Sequence, residues 1–266
     1  MQTTPVSILC LSGFDPTGGA GIQADIESIA SMGGHAVPVI TALTVQDTHN
    51  VLQVQSVDTK LFNLQVNTLL NDVAIKAIKI GMVGSIEMIH AIHEILKQHP
   101  DLPVIYDPVL AAGGGTNFTQ DGMLDAIKEL ILPYVTVLTP NSPEARKLSG
   151  KDNLKECGLA LMQLGCESVL ITGTHENEEH VDNLWFAQNK YIETFTWPRL
   201  AHEYHGSGCT LASAIAALVA QGLDGFNAAN EAQDYSWNTL QHAVRISDNG
   251  QLIPSRFYWQ QSEEEM

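Results

Sequence analysis

Short apolar runs alternate with stretches of helical periodicity, and this rhythm constrains the chain more than any other feature. Val6–Leu11, Ala36–Ala42, Ala77–Ile80, Val104–Tyr106, Val135–Leu138 and Val169–Ile171 are mostly apolar instead of apolar at every second position, so they read as strands buried on both faces. Between them, Ala20–Ser31, Thr59–Asn71, Ser85–Lys97, Thr119–Leu130, Pro143–Ser149 and Leu154–Leu164 read as helices. Strand–helix–strand alternation of this kind calls for a parallel sheet covered on both sides. After Ile171 the rhythm changes. Asn183–Ala187 and Tyr191–Trp197, joined through Gln188–Asn189, predict an antiparallel hairpin appended to the sheet, and two closing helices follow at about Thr210–Gln221 and Phe226–Val244. The predicted fold is a three-layer α/β/α sandwich with a mainly parallel central sheet. No repeat, low-complexity segment or linker interrupts it, so residues 1–266 read as one domain, with a frayed acidic tail over 260–266.

Composition narrows the function. There are 13 Lys+Arg against 30 Asp+Glu, a formal net charge of −17, and no basic stripe. Nucleic acid is therefore excluded as an expected partner. Any phosphate handled by so acidic a chain must rely on backbone N–H groups, helix N-termini and a metal ion. Cys10, Cys157, Cys166 and Cys209 show no C-x-x-C spacing, which suits a reducing compartment. No uninterrupted apolar stretch of ~18 residues and no basic leader appear, so a cytoplasmic protein without membrane partners is expected.

Ligands of open α/β sheets bind at the carboxyl ends of the strands. After the first strand comes Ser12-Gly13-Phe14-Asp15-Pro16-Thr17-Gly18-Gly19-Ala20-Gly21-Ile22-Gln23-Ala24-Asp25. Part of it, Gly19 to Ala24, matches a dinucleotide fingerprint in form, with Asp47 placed as the ribose acid. That fingerprint needs its first glycine at the strand end, and here a polar loop containing Pro16 intervenes. A plain connector closing on a helix is the alternative. His205-Gly206-Ser207-Gly208-Cys209-Thr210 precedes a second, small-residue helix, a pattern that converges free N–H groups on an anion. At that helix start Cys209 is expected to have a depressed pKa and to act as base or nucleophile, against the bland reading of a small buried hydrophobe. Asp107 and Glu144 both follow strands and suit a magnesium ion held through water; alternatively Asp107 is a turn residue ahead of proline and Glu144 a first-turn helix acid. The pairs His90/His93 and His202/His205 have no companion acid or cysteine at metal spacing and read as solvated or packed histidines. Gly150-Lys151 lacks the rest of a phosphate-binding loop, and no G-x-S-x-G elbow exists.

Together these segments resemble the hydroxymethylpyrimidine/phosphomethylpyrimidine kinases of thiamin biosynthesis, within the ribokinase superfamily. The resemblance runs from Val6 to about Gly222. It rests on Asp15–Asp25, Val39–Thr48, Ile78-Lys79-Ile80-Gly81-Met82, Asp107-Pro108-Val109, Pro140-Asn141-Ser142-Pro143-Glu144 and Gly206–Thr210. It implies a ribokinase-like fold, ATP and Mg2+ as cofactors, a small pyrimidine as partner, and a homodimer. It also implies substrate contacts at Gly13, Asp25, Gln46 and Met82, an anion turn of Gly206, Ser207 and Gly208 beside a catalytic Cys209, nucleotide contacts at Asn141 and Thr172, and metal-side carboxylates at Asp107 and Glu144.

The sequence departs from the family pattern at Phe14, at Gly113-Gly114-Gly115-Thr116, at Thr172 where a lysine is usual, and at Asp248–Pro254. These departures bear on the nucleotide side. Two alternatives stay open: a pyridoxal/pyridoxine kinase, separable by turnover on both alcohols, and a catalytically silent pyrimidine-binding module, separable by ATP consumption.

Overall fold

A computed structural model describes residues 5–111 and 121–260. Nine strands form one sheet in the order β3-β2-β1-β4-β5-β6-β7-β8-β9. The strands are β1 (Ser7–Phe14), β2 (His35–Gln46), β3 (Val51–Ser56), β4 (Ile75–Ile80), β5 (Val104–Tyr106), β6 (Val137–Leu138), β7 (Ser168–Ile171), β8 (His180–Ala187) and β9 (Lys190–Pro198). The six central strands are parallel, and each edge is antiparallel. The helices are α1 (Gly21–Ser31), α2 (Thr59–Asp72), α3 (Ile86–Gln98), α4 (Met123–Leu130), α5 (Ser142–Ser149), α6 (Leu154–Gln163), α7 (Ser207–Ala220) and α8 (Gly225–Gln241).

Successive strand residues feed opposite cores. Leu9 and Leu11 point to the side covered by α2 to α6, while Ile8 and Cys10 point to the side of α1, α7 and α8. Val104 and Tyr106 against Ile105, and Val169 and Ile171 against Leu170, repeat the alternation. Two buried faces explain why these strands read as continuous apolar runs. Pro38 survives inside β2 because β3 pairs only with Ala42–Gln46, leaving Pro38 with β1 alone as neighbour.

Several boundaries differ from the sequence reading. Strand β3 was not anticipated: its polar alternation, Val51-Leu52-Gln53-Val54-Gln55-Ser56, suits an edge exposed on one side. The Val135–Leu138 strand shrinks to Val137–Leu138, because Pro133 starts a 3-10 turn over Leu132–Tyr134. The last helix ends at Gln241, and Val244 instead pairs with Ile253. The hairpin holds, with Gln188 and Asn189 both at positive φ (54° and 57°) as a two-residue turn requires. The Thr119 helix start, Gly113–Thr116 and residues 261–266 lie outside the described residues; Gln260 closes a 3-10 turn.

The segment after α8 crosses back to the strand ends. Leu252 O accepts from His205 N (2.9 Å), and Thr48 O accepts from Gln251 N (3.1 Å). It delivers Arg256, almost wholly buried, between the two glycine loops. The guanidinium donates to Gly18 O and Gly19 O, to Thr210 Oγ1 (3.0 Å) and to Glu27 (2.9 Å). Arg256→Met strands these acceptors and should cost about 3 kcal/mol in urea unfolding. Glu27 is half-exposed, so Glu27→Gln should cost under about 1 kcal/mol. Equal losses would show that the ion pair, and not the clamp on the loops, is what matters.

Candidate active site

The loop after β1 and the loop before α7 meet back to back at the carboxyl edge of the sheet. Gly206 has φ 89°, and a Cβ there would fall 1.9 Å from Gly19 O. Gly21 has φ 59°, and its Cβ would fall 2.3 Å from Gly13 O. Only glycine fits either place. Helix α7 opens at Gly206 with no side-chain cap, so the first N–H groups, from Ser207, Gly208 and Cys209, are left for a ligand.

Gly208 lies against Asp107: a Cβ on it would stand 3.5 Å from Asp107 Oδ2. Cys209 is half-buried in the neighbourhood of the same carboxylate. The expected low cysteine pKa is not found. Burial, reinforced by the Asp107 charge, pushes the Cys209 thiol up to about 12, so in the empty protein it is neutral. The residue keeps some surface toward the cleft, but the medium around its sulfur is nearly all protein. The helix dipole favours a thiolate, but burial and the neighbouring acid outweigh it here. Burial likewise raises Asp107, only partly countered by Lys79 and Cys209.

Glu144 is buried and plays the helix-start part. Its Oε2 accepts from Asn141 N (2.9 Å) while Asn141 Oδ1 accepts from Glu144 N (2.9 Å), a capping box, and Oε1 accepts from Leu110 N (3.2 Å). Burial and the charge of Asp107 raise its pKa. Among the described residues no group of three or more His, Cys, Asp or Glu side chains forms a metal cage. Two buried carboxylates that resist ionisation do fit a magnesium ion that takes its remaining ligands from water and phosphate.

Asp25 departs from the substrate-contact expectation. It has no exposed surface and lies beneath the cleft, where Oδ1 takes Lys79 Nζ at 2.7 Å and Ser213 Oγ at 2.7 Å. Lys79, equally buried, also donates to Ser12 Oγ (3.1 Å). Burial would lower the Lys79 ammonium, but Asp25, Cys209 and Asp107 hold it above the usual lysine range. The pair is a fixed charge platform under the reacting end.

Gly13 and Met82 are brought together: a Cβ on Gly13 would meet Met82 Sδ at 3.1 Å. Gln46 ends β2 and faces His205, with Nε2 3.3 Å from the ring Nε2. His205 in turn lies 2.8 Å from Asp15 Oδ2. Asp15 and His205 were passed over as site residues. The signal was their position, one opening the first glycine loop and the other preceding Gly206. Burial raises the Asp15 carboxyl, but His205 and the Thr17 donors outweigh it and hold it at about 2.

On the far side of the turn is a cavity of about 150 Å³. Thr172, Ser207 and Gly208 line it together with Trp197, Leu211 and Trp237. Asn141 bridges to Thr172 in parallel register, with its side-chain oxygen engaged in the cap. The cavity and the N–H cradle thus share Ser207 and Gly208.

This fold and site define a small-molecule kinase of ribokinase-like architecture. The sequence matches the family described as phosphomethylpyrimidine kinase over residues 15–253, and the chain belongs to that family. It is 31% identical to the Escherichia coli hydroxymethylpyrimidine/phosphomethylpyrimidine kinase, covering 90% of this chain and 92% of that one. A solved phosphomethylpyrimidine kinase from Clostridium difficile superposes with TM-score 0.78 at 30% identity, covering 88% of this chain and 99% of that one. The ADP complex of Bacillus subtilis pyridoxal kinase gives TM-score 0.89 at 25% identity, covering 97% and 99%.

The buried pair makes a test of its own. Lys79→Met leaves Asp25 charged and unpaired, at a cost of about 3–5 kcal/mol in urea unfolding. Adding Asp25→Asn should recover most of that loss. A double variant as unstable as the single one would mean that the two groups are not energetically linked.

Proposed function

We propose that this protein phosphorylates hydroxymethylpyrimidine, and then its monophosphate, with ATP and Mg2+ in thiamin biosynthesis. The observation that carries the reading is the Gly206–Cys209 turn, which lies between the Gly13/Gln46/Met82 recess and the Trp-lined cavity and meets Asp107 from below. The recess takes the pyrimidine and the cavity takes the nucleotide base, with Asn141 and Thr172 toward the phosphates. Asp25 contributes from beneath, through Lys79. Thr172 lines the cavity without closing it, so the missing lysine leaves space for the nucleotide.

Phosphoryl transfer needs positioning and charge stabilisation more than covalent chemistry. Ser207, Gly208 and Cys209 point N–H groups at the transferring group. An oxygen–phosphorus bond forms as the bond to the leaving ADP breaks. The hydroxyl proton goes to Cys209 Sγ while the thiol's own proton passes to the neighbouring Asp107. A carboxylate of raised pKa beside a neutral thiol is suited to receive it. Asp107 and Glu144 would hold Mg2+, which supplies neutralisation of phosphate charge when bound.

Pyridoxal phosphorylation is the second reading, favoured by the closer backbone match to a pyridoxal kinase. The catalytically silent module is the reading from another class. Mass detection of mono- and diphosphate products from hydroxymethylpyrimidine and from pyridoxal, with ATP and Mg2+, separates the three. Conversion of pyridoxal alone would replace the first reading with the second, and conversion of neither would leave the silent module.

The exposed apolar residues Leu43, Val45 and Leu52 on the β2–β3 edge would face a second copy in a homodimer. Among the described residues no helix is long and apolar enough to cross a membrane.

The relay makes a pH prediction. Cys209→Ala should lower kcat by about 10²–10⁴ with pyrimidine binding largely retained. Because burial raises Asp107, its proton goes on above the ordinary carboxylate range. The acid limb of kcat/KM, which reports the free enzyme, should therefore lie above the ordinary carboxylate range, and Asp107→Asn should abolish it together with most of the rate. A parental rate in Cys209→Ala would remove the thiol from the relay and leave the turn as an anion cradle.

A further inference from the structure

The connection from β7 to β8 borders the cavity. Thr172 and Thr174, near its start, line that cavity, and so does Arg199, the residue that follows β9. The start of the connection is pinned. Thr172 bridges to Asn141, and Gly173 N donates to the buried Asn183 Oδ1 at 3.0 Å. The remainder is gathered by Arg199. Its Nε donates to Glu178 O at 2.8 Å and one terminal nitrogen to Thr174 O at 2.8 Å. The other terminal nitrogen donates to Glu176 O at 2.9 Å and to His180 O at 3.2 Å. Four of the five guanidinium hydrogens thus go to alternate carbonyls of one loop. Carbonyl oxygens that converge in this way repel one another unless a cation sits among them. A planar fork with several fixed donors meets all four at once, which a point charge on a flexible stem does not.

We infer that Arg199 is a positioning residue of the nucleotide site. It folds the β7–β8 loop around its own guanidinium and so sets the Thr174 wall of the cavity before a nucleotide arrives. The inference rests on the reading of this cavity as the place of the nucleotide base, and it does not depend on which alcohol is phosphorylated. A loop left loose has to be ordered by the nucleotide itself, and that ordering is subtracted from the affinity. The alcohol side is insulated from the effect. Gly13, Gln46 and Met82 belong to β1, β2 and the turn after β4, and β5 and β6 separate those strands from β7. A second tie to the same loop supplies a control. Arg146 forks onto the Glu176 carboxylate at 2.7 and 2.8 Å, a partly exposed pair that leaves the four carbonyls to Arg199.

The dissociation constant of ADP, read by calorimetry, and the KM values of ATP and of hydroxymethylpyrimidine test the inference. Arg199 is exposed, so its substitution opens no hole in either core. Arg199→Met should weaken ADP binding about tenfold and raise the ATP KM alike, while the pyrimidine KM moves less than about twofold. Arg199→Lys keeps the charge but loses the fork, and should stay at least about fivefold weaker than the parent. Arg146→Met should change ADP binding less than about twofold. Parental ADP binding in Arg199→Met, full recovery by lysine, or equal rises in both KM values would overturn the inference. Trp237→Ala tests the reading beneath it. If that variant binds ADP as the parent does, the cavity is not the nucleotide site and the inference falls with it. If Trp237→Ala loses affinity while Arg199→Met does not, the cavity reading stands and the role of Arg199 alone is lost. Should hydroxymethylpyrimidine not be turned over, the ADP constants decide by themselves.

Discussion

The close approach of two glycine loops governs everything built at the carboxyl edge of this sheet. Gly206 and Gly19 touch backbone to backbone, and no side chain separates them. That contact brings the start of α7 against the loop after β1, and so places an N–H cradle beside Gly13, Met82 and Gln46. Buried Arg256 donates to carbonyls of the first loop and to Thr210, whose hydroxyl donates to Gly206 O at 2.9 Å. The cradle is therefore held from outside the cleft, and its inward face stays free of protein partners that a phosphate would have to displace.

Charge is distributed by the same logic. A chain with 13 basic against 30 acidic side chains does not line its cleft with cations. It buries Lys79 and Arg256 beneath the reacting region, each with an acidic partner and at least one neutral oxygen accepting from it. In a low-dielectric interior such fixed charges act over longer distances than solvated ones. Above them Asp107, Glu144 and Cys209 are all biased toward their neutral forms, a bias that added positive charge would relieve.

Much of this was legible in the sequence. Continuous apolar runs announced strands buried on both faces, and Gln188–Asn189 announced the hairpin, because both signals are local. The anion turn was visible through Gly206, Ser207 and Gly208. What escaped depended on contacts between distant segments. Strand β3 hid because an exposed edge carries little apolar pattern. Asp25 read as a cleft residue because nothing nearby in sequence reveals Lys79 below it. Cys209 was assigned a low pKa from its helix start, while the acid that reverses the assignment arrives 102 positions earlier in the chain, as Asp107. His205 and Asp15 make a pair across 190 positions and were invisible for the same reason.

The Arg256 clamp also has a kinetic meaning. It joins residues 237 and 238 positions apart, so it closes one of the longest loops available to the chain. Contacts of such separation form after local helices and neighbouring strands have met, since the entropy of closing the loop must first be offset by other contacts. The cradle's integrity thus depends on the far end of the chain and not only on the elements beside it, so loosening the segment that carries Arg256 reaches the cleft without touching any residue that lines it.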